Sequence, residues 1–397
     1  MSRPDVRDLR VPGEEDARRR AWAVARAALA ERAPADGRHA PVGRGLALVA
    51  AAVLAVVVLG LALTAPGRAT AQWVQDRIAD AVDRRPAAPR PRRAPTYGPL
   101  PGGGRLLAVG AHGPVVLGLA TGPRVLRGPV DDAHWSPHGR FVVAVRGEAL
   151  MALDLGGHEH WRILARTPIR APRWAPSGFR VAYLAGAAGT GGRLLRVVNG
   201  DGTGDRPLAA ARATPPAWRP GPARNVVAHV DAAGRIAVRD VDTRAILWRA
   251  RPREIPRSLA WSRDGHRLLA IGPAAVTAYA GGSGRVLGRR AAPRGTEDVG
   301  AAFAPHGRRY VVVRRVIGTG DPRLLLVAGG RERLLQVGTG RLSGVAWSPD
   351  GRWLALDVAG TPAWTLMHLR GGGPDAVRTL AAGRGARLAG WCCGESS

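Results

Sequence analysis

Trp347-Ser348-Pro349-Asp350-Gly351-Arg352 is the stretch on which the fold of this chain turns. The apolar pair Val345-Ala346 runs into the tryptophan, and a second apolar run, Leu354-Ala355-Leu356, follows the turn. Proline sets φ at the first corner, aspartate tolerates the second, and glycine supplies a positive φ after it. The stretch therefore predicts two strands joined by a tight hairpin turn. A single hairpin specifies little, but this one recurs.

Copies stand at Trp135-Ser136-Pro137-His138-Gly139-Arg140, Trp174-Ala175-Pro176-Ser177-Gly178, Trp261-Ser262-Arg263-Asp264-Gly265 and Phe303-Ala304-Pro305-His306-Gly307-Arg308. A degenerate copy begins at Trp218-Arg219-Pro220, and a last one breaks off at Trp391. Successive aromatic positions are separated by 39, 44, 43, 42, 44 and 44 residues. A period of about 40–45 residues is that of four-stranded propeller blades.

The segments between copies fit this period. After residue 131 four strands are predicted: one ending at Trp135, then Phe141–Val145, Ala149–Leu155 and Trp161–Ala165. A later copy gives Ser258–Trp261, Leu268–Ile271, Ala275–Ala280 and Arg285–Arg289, with turn residues between the runs. Six complete units end near Ala382, and beyond them Arg387–Trp391 supplies one more first strand. Upstream, Gly102 to Val109 reads as the second half of the phrase, followed by strands at Val115–Leu119 and Arg124–Leu126. One C-terminal strand and three N-terminal strands complete a seventh blade and zip the ring shut.

The repeated Trp-Ser-Pro-Asp-Gly-Arg phrase before an apolar strand resembles the WD40-like propeller repeat of bacterial TolB-type proteins. The resemblance covers roughly residues 100–391. It implies an all-β, seven-bladed propeller. It implies no single function, because such propellers serve as scaffolds, receptors and accessory domains. The Gly-His and Trp-Asp dipeptides of eukaryotic WD40 repeats are missing, although Arg239 to Arg244 echoes their end-of-blade turn.

Outside the repeats the chain is predicted to have three parts. Residues 1–44 form a cytosolic N-terminal region with a short helix, opened by Glu14, Glu15 and Asp16 and carrying Trp22, Val24 and Leu29. Residues 45–65 are free of charge and long enough to cross a hydrocarbon core of about 30 Å as a single transmembrane helix. A cleaved signal peptide is the rival, disfavoured by the 44 residues ahead of the apolar run and by its 21-residue length. Residues 66–101 are a juxtamembrane segment and a Pro/Arg-rich linker, whose Arg90, Arg92 and Arg93 lie near lipid headgroups in this arrangement. Residues 102–393 are the propeller. The resembling proteins place it outside the cell membrane, with the N-terminus in the cytoplasm; the arginine bias of the flanks agrees weakly.

All 59 basic residues are arginine, and the net charge is +29. The excess concentrates outside the first 44 residues, where 49 arginines meet 23 acids in residues 66–397. Such a surface attracts nucleic acid, anionic lipid or acidic envelope polymers. With no basic stripe interleaved with aromatics, nucleic acid is the least favoured of these.

Without lysine there is no Walker A lysine, no Schiff-base lysine and no kinase-type ATP lysine. No Gly-x-Ser-x-Gly elbow occurs among the ten serines. His158-Glu159-His160 lacks the helical spacing of a zinc site and is read as a solvated loop. His138, His266 and His306 fall in or beside exposed repeat turns, and Asp264 and Asp350 cap their own turns. Adjacent Cys392 and Cys393 are either a vicinal disulfide or two reduced residues ending a strand. The sequence thus nominates no catalytic, cofactor-binding or metal-ligating residue.

The expectation is a non-enzymatic, membrane-anchored propeller that binds an envelope protein or an anionic polymer, with no cofactor. Two alternatives stand beside it. One is a sensor coupled to a cytosolic partner through residues 1–44; the other is a lactonase- or lyase-like enzyme with its site in the central channel. The repeated aromatics Trp135, Trp174, Trp218, Trp261, Phe303, Trp347 and Trp391 are expected to pack between blades.

Overall fold

Arg387–Cys392 pairs antiparallel with Arg105–Gly110, which places Leu106 opposite Trp391. Gly113–Leu117 and Arg124–Val125 follow outward, so one four-stranded sheet joins the two ends of the repeat region. This is the mixed closing blade expected from the repeat count. The computed structural model describes residues 100–126, 128–186, 192–221, 225–337, 341–359, 361, 363–371, 373–381 and 385–393. The expected N-terminal helix, the expected transmembrane helix and most of the expected linker fall in residues 1–99, outside those described. Among the described residues no helix is long and apolar enough to cross a membrane.

Six further four-stranded antiparallel sheets occupy residues 132–164, 169–211, 217–250, 258–291, 296–337 and 342–381, called blades 1 to 6. The closing sheet is blade 7. In each, strands run from inner to outer in chain order, apart from the C-terminal inner strand of blade 7. The inner strands of neighbouring blades pack against one another in a closed ring of seven. The degenerate copy at Trp218 has the shortest inner strand, Ala217–Trp218.

Side chains explain the turn phrase. The Ser348 Oγ accepts a bond from the Trp353 amide at 2.9 Å, and the Asp350 carboxylate accepts one from the Arg352 amide at 3.0 Å. Ser262 and Asp264 repeat this at 3.0 Å each with Arg267 and His266. Gly351 stands at φ +68°, a conformation that penalises any side chain. The serine is therefore buried as a turn cap, and Ser348 has no exposed surface.

The hydrophobic core is divided. Seven clusters of buried residues each lie between two adjacent blades, one per junction around the ring. A second strand thus buries both faces, which is why Val142–Val145 and Leu354–Leu356 read as continuous apolar runs. The outer strands read differently. Leu164, Val286, Leu334 and Val377 are exposed there, and every outer strand carries an arginine, for example Arg162, Arg249 and Arg378. Charged side chains on an edge discourage pairing with another sheet. Part of the basic surface is therefore a property of the blade edges.

All six repeated tryptophans are buried, between 6% and 9% exposed. Three of them staple blades in one register: Trp218, Trp261 and Trp347 donate their indole N–H to Arg173 O, Ala217 O and Ala302 O of the preceding inner strand, at 2.7, 3.1 and 3.0 Å. Trp174 turns instead to Gly178 O of its own turn, and Trp391 to Gly103 O. Phe303 departs from the expectation. It packs against the core between blades 4 and 5 but is only half-buried, with its ring edge-on to Tyr310 at 5.4 Å.

Candidate functional site

At the face carrying the Trp-Ser-Pro turns, the inner strands open into a cavity of about 800 Å³. Six of the seven blades contribute to its lining. The repeat dictates what faces inward there. In blades 1 to 6 each inner strand ends on the aromatic, and in blades 1, 2, 3 and 5 the turn proline two residues later faces the cavity, so Pro137, Pro176, Pro220 and Pro305 form a rim around it. Below them lie Trp135, Trp174, Trp261, Phe303 and Trp391. Blade 4 breaks the pattern by placing Arg263, which is exposed, at the proline position.

Two histidines line the cavity, both from blade 1. His138 is exposed on the rim. His134 is set in the wall, with Nδ1 2.9 Å from Trp135 O and 3.3 Å from the Trp174 amide. Only one of these bonds forms in a given tautomer, since Nδ1 either donates to the carbonyl or accepts from the amide. Burial lowers the His134 pKa to about 3, helped by the Arg173 guanidinium and opposed by the Trp135 carbonyl. His134 is therefore neutral at pH 7. The Trp135 indole N–H is buried with no hydrogen-bond partner among the described residues, which makes the junction of blades 7 and 1 unlike the stapled ones.

Cys392 and Cys393 occupy the serine and proline positions of the seventh phrase. Their sulfurs are bonded to each other, which settles between the two readings in favour of the disulfide in this structure. They rest against Gly139 of the blade 1 turn.

His158, Glu159 and His160 do not form a loop. Glu159 and His160 begin the outer strand of blade 1, and only His158 is in the turn before it. Both rings lie 3.2 Å from the same Asp154 oxygen, and Glu159 pairs with Arg162. Slight burial pushes the Asp154 pKa upward, but bonds from the His158 amide and both rings outweigh it and hold it at about 2. His266 and His306 are exposed in their turns, as expected. Among the described residues no cluster of three His, Cys, Asp or Glu is arranged to hold a metal.

Two features escaped the sequence reading. Asp298 and Arg314 form a buried ion pair at 2.7 Å in blade 5, extended by Glu332 at 3.2 Å. Burial pushes the Asp298 carboxyl up, and the Arg314 bond pulls it back. The second is a cavity of about 630 Å³ across blades 4 to 7, on the face where the inner strands begin, with Arg257, Arg315, Arg341 and Arg387 in its wall. A signal for it existed: Arg257 and Arg387 each stand four residues before the repeated tryptophan.

No family model and no curated protein matches the sequence. Solved structures do. The β-propeller domain of Myceliophteria thermophila Cps50 (Swd1) superposes with a TM-score of 0.53 at 15% identity, covering 65% of this chain and 90% of that one. Kuenenia stuttgartiensis hydrazine synthase superposes with a TM-score of 0.49 at 17% identity, covering 60% and 76%. At these identities the likeness concerns the fold alone. The chain is a seven-bladed β-propeller.

Proposed function

We propose that this chain is a membrane-anchored, extracytoplasmic binding propeller. It grips an extended segment of a partner protein of the envelope at the mouth formed by the Trp-Ser-Pro turns. One observation carries this reading: a concave rim of prolines over aromatics, assembled from six blades and bearing Arg263, the one arginine among its described lining residues. Cavities of 300–1,000 Å³ with apolar walls and few polar groups suit ligand segments that bury aromatic or aliphatic side chains. Arg263 adds a preference for a carboxylate within that segment.

A channel enzyme of the lactonase or lyase kind needs acids and histidines converging from several blades. The described lining holds two histidines from one blade and no carboxylate, which favours binding over that alternative. The membrane anchor rests on the uncharged run of residues 45–65. The coupling of residues 1–44 to a cytosolic partner has no structural observation in its favour.

The test is a peptide selection on the full-length chain. Selected peptides should combine apolar residues with an acid and should lose affinity about tenfold or more, roughly 1.4 kcal/mol, toward Arg263→Glu and toward His138→Trp, which fills the rim. Both side chains are exposed, so both variants should fold. Peptides that bind both variants as tightly as the unaltered chain would place the binding surface elsewhere.

A further inference from the structure

We propose that the arginine-walled cavity on the opposite face is a binding site for an organic phosphate. Its four arginines come from four consecutive parts of the ring: Arg257 before the inner strand of blade 4, Arg315 in the second strand of blade 5, Arg341 before the inner strand of blade 6, and Arg387 opening that of blade 7. Guanidinium groups stay charged at any physiological pH, so the cavity carries four fixed positive charges.

Two carboxylates answer them. Glu297 lies between Arg257, at 2.7 Å, and Arg315, and is satisfied by both. Asp357 is almost fully buried and accepts the Leu388 amide at 3.0 Å, so it is engaged in holding the blade 7 inner strand. Arg387 donates to the Asp131 backbone carbonyl at 2.6 Å, which fixes its direction without neutralising it. Arg341 is exposed and has no ion-pair partner among the described residues. Among the described residues the count leaves two unbalanced positive charges around one space. Like charges gathered around one space repel, partly screened by solvent because Arg257, Arg341 and Arg387 are exposed, and a phosphate that carries nearly two charges balances the surplus.

The shape narrows the ligand further. Guanidinium forks approaching from separate blades suit a tetrahedral oxyanion, which offers oxygens in several directions, better than a planar carboxylate. At about 630 Å³ the cavity is much larger than an inorganic phosphate, and Val299, Val313, Pro322 and Leu342 give it an apolar wall beside the arginines. A phosphate ester with an organic body against that wall fits both halves. The phosphate could be that of a soluble ester or of a lipid headgroup.

Isothermal titration of the full-length chain with glycerol 2-phosphate, pyrophosphate and dihexanoyl phosphatidic acid below its micellar concentration tests the site. At least one ester should bind, and Arg341→Glu should weaken it by about tenfold or more. Arg387→Ala should weaken it less, and Arg289→Glu, an equal charge change on an exposed outer strand, should stay within about twofold. Preference for glycerol phosphate identifies a soluble source, and preference for the short-chain lipid a headgroup. Absence of binding, or binding that Arg289→Glu weakens as much as Arg341→Glu, would overturn the proposal. Peptide binding at the mouth is independent of this outcome, because Arg263 and Arg341 lie on opposite faces.

Discussion

Replacing Trp261 with alanine and with phenylalanine separates the two ways in which the repeated tryptophan holds the ring. Trp261 is 8% exposed, lies in the core between blades 3 and 4, and donates its indole N–H to Ala217 O at 3.1 Å. Arg219 of the preceding turn covers its ring at 5.6 Å. A buried tryptophan removes up to about 250 Å² from water. At roughly 25 cal/mol per Å² this is worth about 6 kcal/mol as an upper bound. Truncation of buried aromatics typically costs about 3–5 kcal/mol, and Trp261→Ala should fall there. Trp261→Phe keeps most of the apolar body but strips the N–H from a carbonyl at a blade junction and leaves a small void. It should cost about 2 kcal/mol, mostly from the lost bond and its unsatisfied acceptor. Urea titration of the full-length chain, followed by far-ultraviolet circular dichroism, gives both values from the midpoints and slopes. Two results would refute the reasoning. An alanine variant costing under about 1 kcal/mol would mean that the staple is not structural. Equal losses for the two variants would mean that ring volume counts for nothing beside the N–H.

Two more expectations follow from other parts of the chain. His229 is fully buried in blade 3, and burial, aided by Arg239 and opposed by Asp231 and the Ala237 backbone, lowers its pKa from 6.5 to about 4. The unfolded chain takes up a proton that the folded one refuses, so stability should fall as pH drops from 6.5 toward 4, by about 3 kcal/mol in total. His229→Leu should make that acid limb shallower, leaving the part that His134 contributes, and an unchanged slope in denaturation midpoints across this range would discount His229. For the membrane arrangement, a reporter that works only in the cytoplasm should be silent when fused to the C-terminus. Activity of that fusion would place the propeller inside the cell.

The blade count was legible in the chain because each blade repeats one local problem. A strand must end, turn within four residues and return, and only a few residue types do this, so variants of Trp-Ser-Pro-Asp-Gly mark most blades. Strand closure through Arg387–Trp391 followed from the same register. The charge of the outer strands was visible as composition but not as edge protection, since position in a sheet is not written in a single strand. Phe303 shows the limit of reasoning from register alone: the position was right, but the side chain there is only half-buried.

The candidate sites were legible in a different degree. Pro137, Pro176, Pro220 and Pro305 were each identified as turn formers, and nothing local shows that four turns, set 39, 44 and 85 residues apart, surround one cavity. The same holds for Arg257, Arg315, Arg341 and Arg387, which are far apart in sequence and meet only because the ring brings blades 4 to 7 side by side. Local chemistry by itself determined strands, turns and their number, because backbone torsion and side-chain polarity act over a few residues. Closure of the ring decided which of those residues share a cavity, because convergence depends on contacts that span the chain.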